Sequence, residues 1–163
     1  MSIGLLKECA HEAPKGAQLL GLDVGSKTIG LALGSATLGV ATPLETIRRT
    51  KFTKDMQALY KIAQEYEVQG YIIGLPVNMD GSEGRRAQSV RDFAIEMNRF
   101  LKEQGVNHPF MALWDERLST VSVEGVVDNL VEKRKTKIES KSSGLIDKLA
   151  AQIILQGALD YLS

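Results

Sequence analysis

The chain has 163 residues, with 20 Lys or Arg against 20 Asp or Glu, so its formal net charge is zero. That length suits one domain with an ordinary core, and 44% hydrophobic with 25% charged residues excludes a wholly disordered chain. A lone cysteine, Cys9, excludes a disulfide framework and any zinc site built on two or more cysteines, and neutral charge leaves nucleic-acid affinity to local clusters.

Residues 1–18 carry a short apolar patch (Ile3, Leu5, Leu6) followed at once by Lys7 and Glu8. The patch is too short and too soon charged for a secretory signal. No apolar run reaches the ~18 residues of a membrane span. The expectation is a cytoplasmic protein with no membrane contact, a loosely ordered arm over residues 1–18 and a single domain over 19–163. Residues 19–24 read as a strand, and 29–33 alternates Ile29, Leu31 and Leu33 against Gly30, Ala32 and Gly34, which is strand periodicity. A third strand covers 40–49, and short connections make the three an antiparallel meander.

Helical spacing follows. Met56, Leu59, Tyr60, Ala63 and Tyr66 form a stripe, with Thr53 as its N-cap. Tyr71-Ile72-Ile73 is an apolar strand closed by Gly74-Leu75-Pro76, and 77–84 is a polar loop. Val90, Phe93, Ala94, Met97, Phe100 and Leu101 mark a second helix, and 110–114 a fifth strand ending in Asp115-Glu116-Arg117. Val123, Val126, Val127, Leu130 and Val131 suggest a third helix. Residues 132–144 are almost without apolar side chains and are expected to be mobile. Leu145, Ile146, Leu149, Ala150, Ile153 and Ile154 begin a last helix. The order predicts a mixed sheet covered by helices.

The chemistry lies in acids at element ends. Asp23 ends the first strand beside Gly25, Asp115 and Glu116 close the fifth, and Asp147 opens the last helix. Each alone suits a turn, a surface pair or a helix-dipole partner. Together they suggest an oxygen-donor site for a hard cation, Mg²⁺ or Mn²⁺. Adjacent strand residues face opposite ways, so only one of Asp115 and Glu116 can join Asp23. Asp160 lies thirteen residues beyond Asp147, ~20 Å along a helix, and cannot reach the same site. GLDVGSKT at 21–28 is not a nucleotide-cradling loop, because Ser26 stands where the second glycine belongs. Basic residues group at Arg85 and Arg86, at Arg117, and at Lys133, Arg134, Lys135 and Lys137. Around the acids, these groups could hold a polyanion.

GLDVGSKTIGLAL, IIGLPVNMDGSEGRRAQSV, WDERLST and LIDKLAAQIIL are similar, in order and spacing, to the motifs of the YqgF/RuvX family. Its members are described both as Holliday junction resolvases and as pre-16S ribosomal RNA nucleases. The resemblance implies an α/β, ribonuclease H-like fold, a five-stranded mixed sheet with three antiparallel strands first, flanked by helices. It implies a nuclease, a hydrolase of phosphodiester bonds, with one or two Mg²⁺ or Mn²⁺ ions on Asp23, Glu116 and Asp147, Asp115 being the alternate for Glu116. It also implies a nucleic-acid partner, pre-rRNA in ribosome biogenesis or branched DNA, for a monomer or homodimer. Resolvases of the RuvC type carry an acid at the end of the fourth strand. Here that strand ends Gly74-Leu75-Pro76, so the third carboxylate would come from the fifth. The alternative is a non-catalytic nucleic-acid-binding or ribosome-assembly module on the same scaffold.

Overall fold

The computed structural model describes residues 3–119 and 144–163. The expected helix around Val123–Val131, the expected mobile stretch up to residue 143 and the basic group Lys133, Arg134, Lys135 and Lys137 lie outside them, while Gly144, the last residue of that stretch, caps a helix. Five strands form one mixed sheet: β1 (Gln18–Val24), β2 (Thr28–Ser35), β3 (Val40–Arg48), β4 (Val68–Leu75) and β5 (Phe110–Asp115). Their order across the sheet is β3-β2-β1-β4-β5. The first three pair antiparallel, while β4 runs parallel to β1 and β5 parallel to β4. This is the ribonuclease H-like arrangement expected.

Helices cover both faces. On one, α2 (Phe52–Glu65) and α3 (Arg85–Glu103) bury Met56, Leu59, Val90, Phe93 and Met97 against Leu20, Leu22, Ile29, Leu31, Ile73 and Leu113. On the other, the helix Leu145–Leu162 packs Ala151, Ile154, Leu155 and Leu159 against Leu19, Ala32, Ile72 and Trp114. Each fully buried Ile or Leu there contributes roughly 1.5–3 kcal/mol, which seats this last helix, α4, on the sheet. Gln156 fastens it to the edge strand: its Oε1 accepts the Ala41 N–H at 2.9 Å and its Nε2 donates to the Gly39 carbonyl at 2.8 Å.

Two expectations differ from the structure. Helix α2 starts at Phe52 with Lys51 as its N-cap, and no side chain caps it. Thr53 is inside the helix; the polar closure comes instead from Asp55, whose Oδ1 accepts the Thr50 N–H at 2.9 Å and hydroxyl at 3.3 Å. The N-terminal residues are also packed rather than loose. Leu6–Cys9 forms a short helix, α1, with Leu6 only 1% exposed. Leu5 bridges to Leu113 in parallel fashion along the outer edge of β5, and the Leu113 N–H donates to the Gly4 carbonyl at 2.9 Å. The physical reason is apolar side chains in reach of an edge strand that still offers a backbone donor. No helix among the described residues is long and apolar enough to cross a membrane.

Candidate acidic site at the end of the sheet

Asp23 lies one residue before the end of β1, on the face that carries α4, since Leu22 and Val24 point into the opposite core. Its antiparallel partner on β2 is Gly30. The backbone of Asp147, in the first turn of α4, rests directly on Gly30: a Cβ there would collide with the Asp147 carbonyl. A residue without a side chain therefore lets a helix end approach the sheet beside Asp23. Gly144 sets the helix start. It adopts φ +76°, which favours glycine, and its carbonyl accepts the Thr46 hydroxyl at 2.7 Å.

Glu116 follows the end of β5 in a short 3-10 turn, Glu116–Ser119. Its carboxyl leans back over β4, where Gly74 again leaves room: a Cβ on Gly74 would stand 3.3 Å from the Glu116 carboxyl carbon. The glycine at the end of the fourth strand thus admits an acid from the fifth. Asp115 turns away. Arg117 grips it in a forked ion pair, Nη2 to Oδ2 at 2.7 Å and Nε to both oxygens at 3.1 Å, and the Arg117 N–H donates to Oδ1 at 2.9 Å. Burial works to raise the Asp115 carboxyl, but these hydrogen bonds outweigh it and hold it below the usual range.

The other acids shift upward. Burial first, and then the charge of Asp147, lift Asp23 to about 6, with Arg86 pulling the other way. Burial first, and then Asp23, lift Glu116 to about 7, again opposed by Arg86. Such raised values arise where like charges share a poorly solvated site. The acids are joined through Asp23, on which Asp147 acts from α4 and which itself acts on Glu116 just beyond β5. They do not close into a cage: among the described residues, no three His, Cys, Asp or Glu side chains form a group that could hold one metal ion as placed. Arg86, exposed in the first turn of α3 with Arg85 exposed beside it, acts electrostatically on both Asp23 and Glu116.

Arg49, passed over in the sequence, braces this end from behind. Its Nη1 donates to the Gly25 carbonyl at 2.6 Å, its Nε stands 3.9 Å from the buried Asp55, and its guanidinium lies 5.4 Å from the Phe93 ring centroid. The available signal was an Arg pair at 48–49 just before a helix whose first turn carries an acid. Gly30 and Gly74 carried no signal beyond strand alternation, because their neighbours come from distant chain.

The family model RuvX, described as Holliday junction resolvase, matches residues 17–161. Two similar curated proteins are both named "Putative pre-16S rRNA nuclease". One, from Rhodospirillum centenum, is 46% identical over 99% of this chain and 83% of its own length. The other, from Rhizobium meliloti, is 45% identical over 100% of this chain and 92% of its own. Among solved structures, T. thermophilus RuvC in complex with Holliday junction substrate matches at TM-score 0.55 and 14% identity, over 89% of this chain and 96% of that one. The yeast mitochondrial Holliday junction resolvase matches at TM-score 0.52 and 12% identity, over 96% and 84%. At those identities the two structures speak for a shared fold. Fold, motifs and near full-length identity agree, and the chain belongs to the RuvX family.

Proposed function

We propose that this protein is a divalent-metal-dependent nuclease that hydrolyses phosphodiester bonds in structured nucleic acid, with Asp23, Glu116 and Asp147 as its acidic centre. The observation that carries the reading is the gathering of these acids at one end of the sheet, where the backbone of Asp147 rests on Gly30 beside Asp23, the Glu116 carboxyl leans over Gly74, and the charge of Asp147 raises Asp23 while that of Asp23 raises Glu116. The donor set is all oxygen, which suits Mg²⁺ or Mn²⁺, and two half-buried acids raised above their ordinary range are acids that an added positive charge would stabilise. A hard cation keeps several waters, so Asp23 with either neighbour is a sufficient protein contribution. When bound, such an ion supplies a more acidic water and stabilises charge on the phosphodiester oxygens.

The chain's own residues do the rest. Asp23 and Glu116 set their carboxyl groups at the point where β1 and β5 end. Arg117 is committed to Asp115, which leaves Glu116 as the acid of that pair facing Asp23. Arg86, already within electrostatic reach of both acids, is placed to receive a phosphate oxygen, and Arg85 extends the cationic surface. Guanidinium groups serve here through forked hydrogen bonds. The names of the relatives indicate precursor 16S rRNA as the substrate, and the family description indicates a four-way DNA junction.

The purified protein is offered both substrates with Mg²⁺ or Mn²⁺. Cleavage of at least one is expected, and Asp23→Asn lowers its rate by at least about 100-fold, beyond the 10–100-fold typical of losing a group that only orients a metal ligand. Unchanged cleavage by Asp23→Asn overturns the site. The second reading is a nucleic-acid-binding or ribosome-assembly module that does not cut; in its favour, the acids do not close into a three-acid cage among the described residues. Titration with Mn²⁺ separates the two: no binding in the millimolar range selects the module.

A further inference from the structure

The acidic centre has cationic residues on its β4–β5 side, Arg86 and Arg85. On its other side the chain carries a second group that the proposed chemistry does not use. From Gly25 to Asp55 there are seven charged residues, five of them basic. Asp55 is buried, and Arg49 spends its guanidinium inward on the Gly25 carbonyl and on Asp55. Glu45 pairs with Leu31, three residues short of the strand end, or ~10 Å back along the sheet. At the end itself the exposed charges of this stretch are Lys27 in the β1–β2 turn, Arg48 at the end of β3, and Lys51 and Lys54 at the start of α2.

This rim is built. The Lys27 carbonyl accepts the Arg49 N–H at 2.8 Å, and the Gly25 N–H donates to the Thr28 carbonyl at 2.8 Å. With the Arg49–Gly25 bond, these tie the β1–β2 turn to the β3–α2 connection, so the backbone of Lys27 is bonded to the chain two residues before Lys51. The first turn of α2 adds the positive end of a helix. Sheet order places β2 and β3 on one side of β1 and β4 and β5 on the other. Four interstrand gaps of ~4.8 Å make this edge about 19 Å long, wider than the ~12 Å major groove of B-DNA.

We propose that Lys27, Lys51 and Lys54 form a second phosphate-binding rim, so that a duplex laid along this end of the sheet is held by its backbone on both sides of the acidic centre. The inference deepens the nuclease reading and rests on it for orientation. The recognised chemistry is the phosphodiester backbone, which either an RNA duplex or a four-way DNA junction can supply. Net neutrality of the chain does not oppose it, because the field at a surface follows the local charges within about a Debye length, ~8–10 Å at ordinary salt.

The test measures binding in EDTA, where no cleavage occurs, from 50 to 200 mM NaCl, with a 20-base-pair RNA duplex in one arm and a four-way DNA junction in the other. Each phosphate contact contributes about 0.9 to the slope of log affinity against log salt on B-form DNA. The triple variant K27Q/K51Q/K54Q is expected to flatten that slope by about 2–3 in whichever arm binds, and K51Q alone by about 1. Lys15→Gln, at the opposite end of β1, leaves the slope unchanged. A triple variant with the slope of the unvaried protein overturns the rim, as does a Lys15→Gln slope that falls equally, or no binding of the unvaried protein in either arm. Hydrolysis of bis(p-nitrophenyl) phosphate with Mn²⁺ by the unvaried protein is read separately. Its absence counts against the nuclease chemistry and leaves the rim standing on its salt slopes.

Discussion

Asp23 and Glu116 are expensive residues for the folded chain. Their pKa values, about 6 and about 7, lie above the 3.8 and 4.5 of free carboxyls, so the native state holds their protons more tightly than the unfolded state does. Near pH 4 both acids are largely protonated in the native state and impose little penalty. As pH rises from 4 to 7 the unfolded chain sheds protons first, and stability falls over that window. Above pH 7 the whole cost is present. Asp23→Asn and Glu116→Gln should therefore each raise stability at pH 8 in EDTA, by roughly 1–2 kcal/mol at ~1.4 kcal/mol per pKa unit and allowing for solvent relaxation, with little effect at pH 4. Urea denaturation at the two pH values checks this. A carboxyl retained at such a cost is one whose charge the fold does not need, which agrees with a role toward something bound. Asp115 is the contrasting case: held low by Arg117, it contributes to the turn that aims Glu116.

Elements bring these side chains together through close backbone approach. Helix α4 crosses the sheet over Gly21, Gly30, Gly34 and Gly74, and at each a Cβ would fall within 2.7 Å or less of an α4 atom or a neighbouring strand atom. The closest is Gly30 under Asp147. Gly30→Ala cannot be absorbed by a flexible side chain, since the obstacle is the helix backbone. The first turn of α4 must lift, and Asp147 with it. The expected cost is about 1–3 kcal/mol of stability, as for other overpacked sites, together with a fall in cleavage larger than Ala substitution at an exposed α3 position produces. Thermal unfolding and single-turnover cleavage of the same preparation measure both. Cleavage and stability both unchanged would mean that α4 does not depend on this contact for its height above the sheet.

For the whole molecule, what was legible in the sequence was what is local. Alternation, short apolar runs closed by turn residues and helical spacing found the five strands and the three long helices described, and the acids Asp23, Asp115, Glu116 and Asp147 stood out because they fall at the ends of those elements. The sequence prefers Glu116 with Asp115 as its alternate, and alternation alone could not close that choice, because it turns on an ion pair with Arg117 and on the space above Gly74, which belongs to another strand. The docked N-terminus was illegible on similar grounds: Ile3, Leu5 and Leu6 look like stray apolar residues until β5 proves to be an edge. The segment covers β5 on its outer side, with the Gly4 carbonyl taking the Leu113 N–H and with Ile3 and Leu6 buried. Removing residues 1–12 withdraws those two side chains, about 3–6 kcal/mol at 1.5–3 each, and leaves β5 with an exposed strand edge that invites pairing between copies. The shortened chain should unfold at lower urea and scatter light at concentrations where the full chain does not. Retention of the full urea midpoint would show that the segment lies on the sheet without holding it.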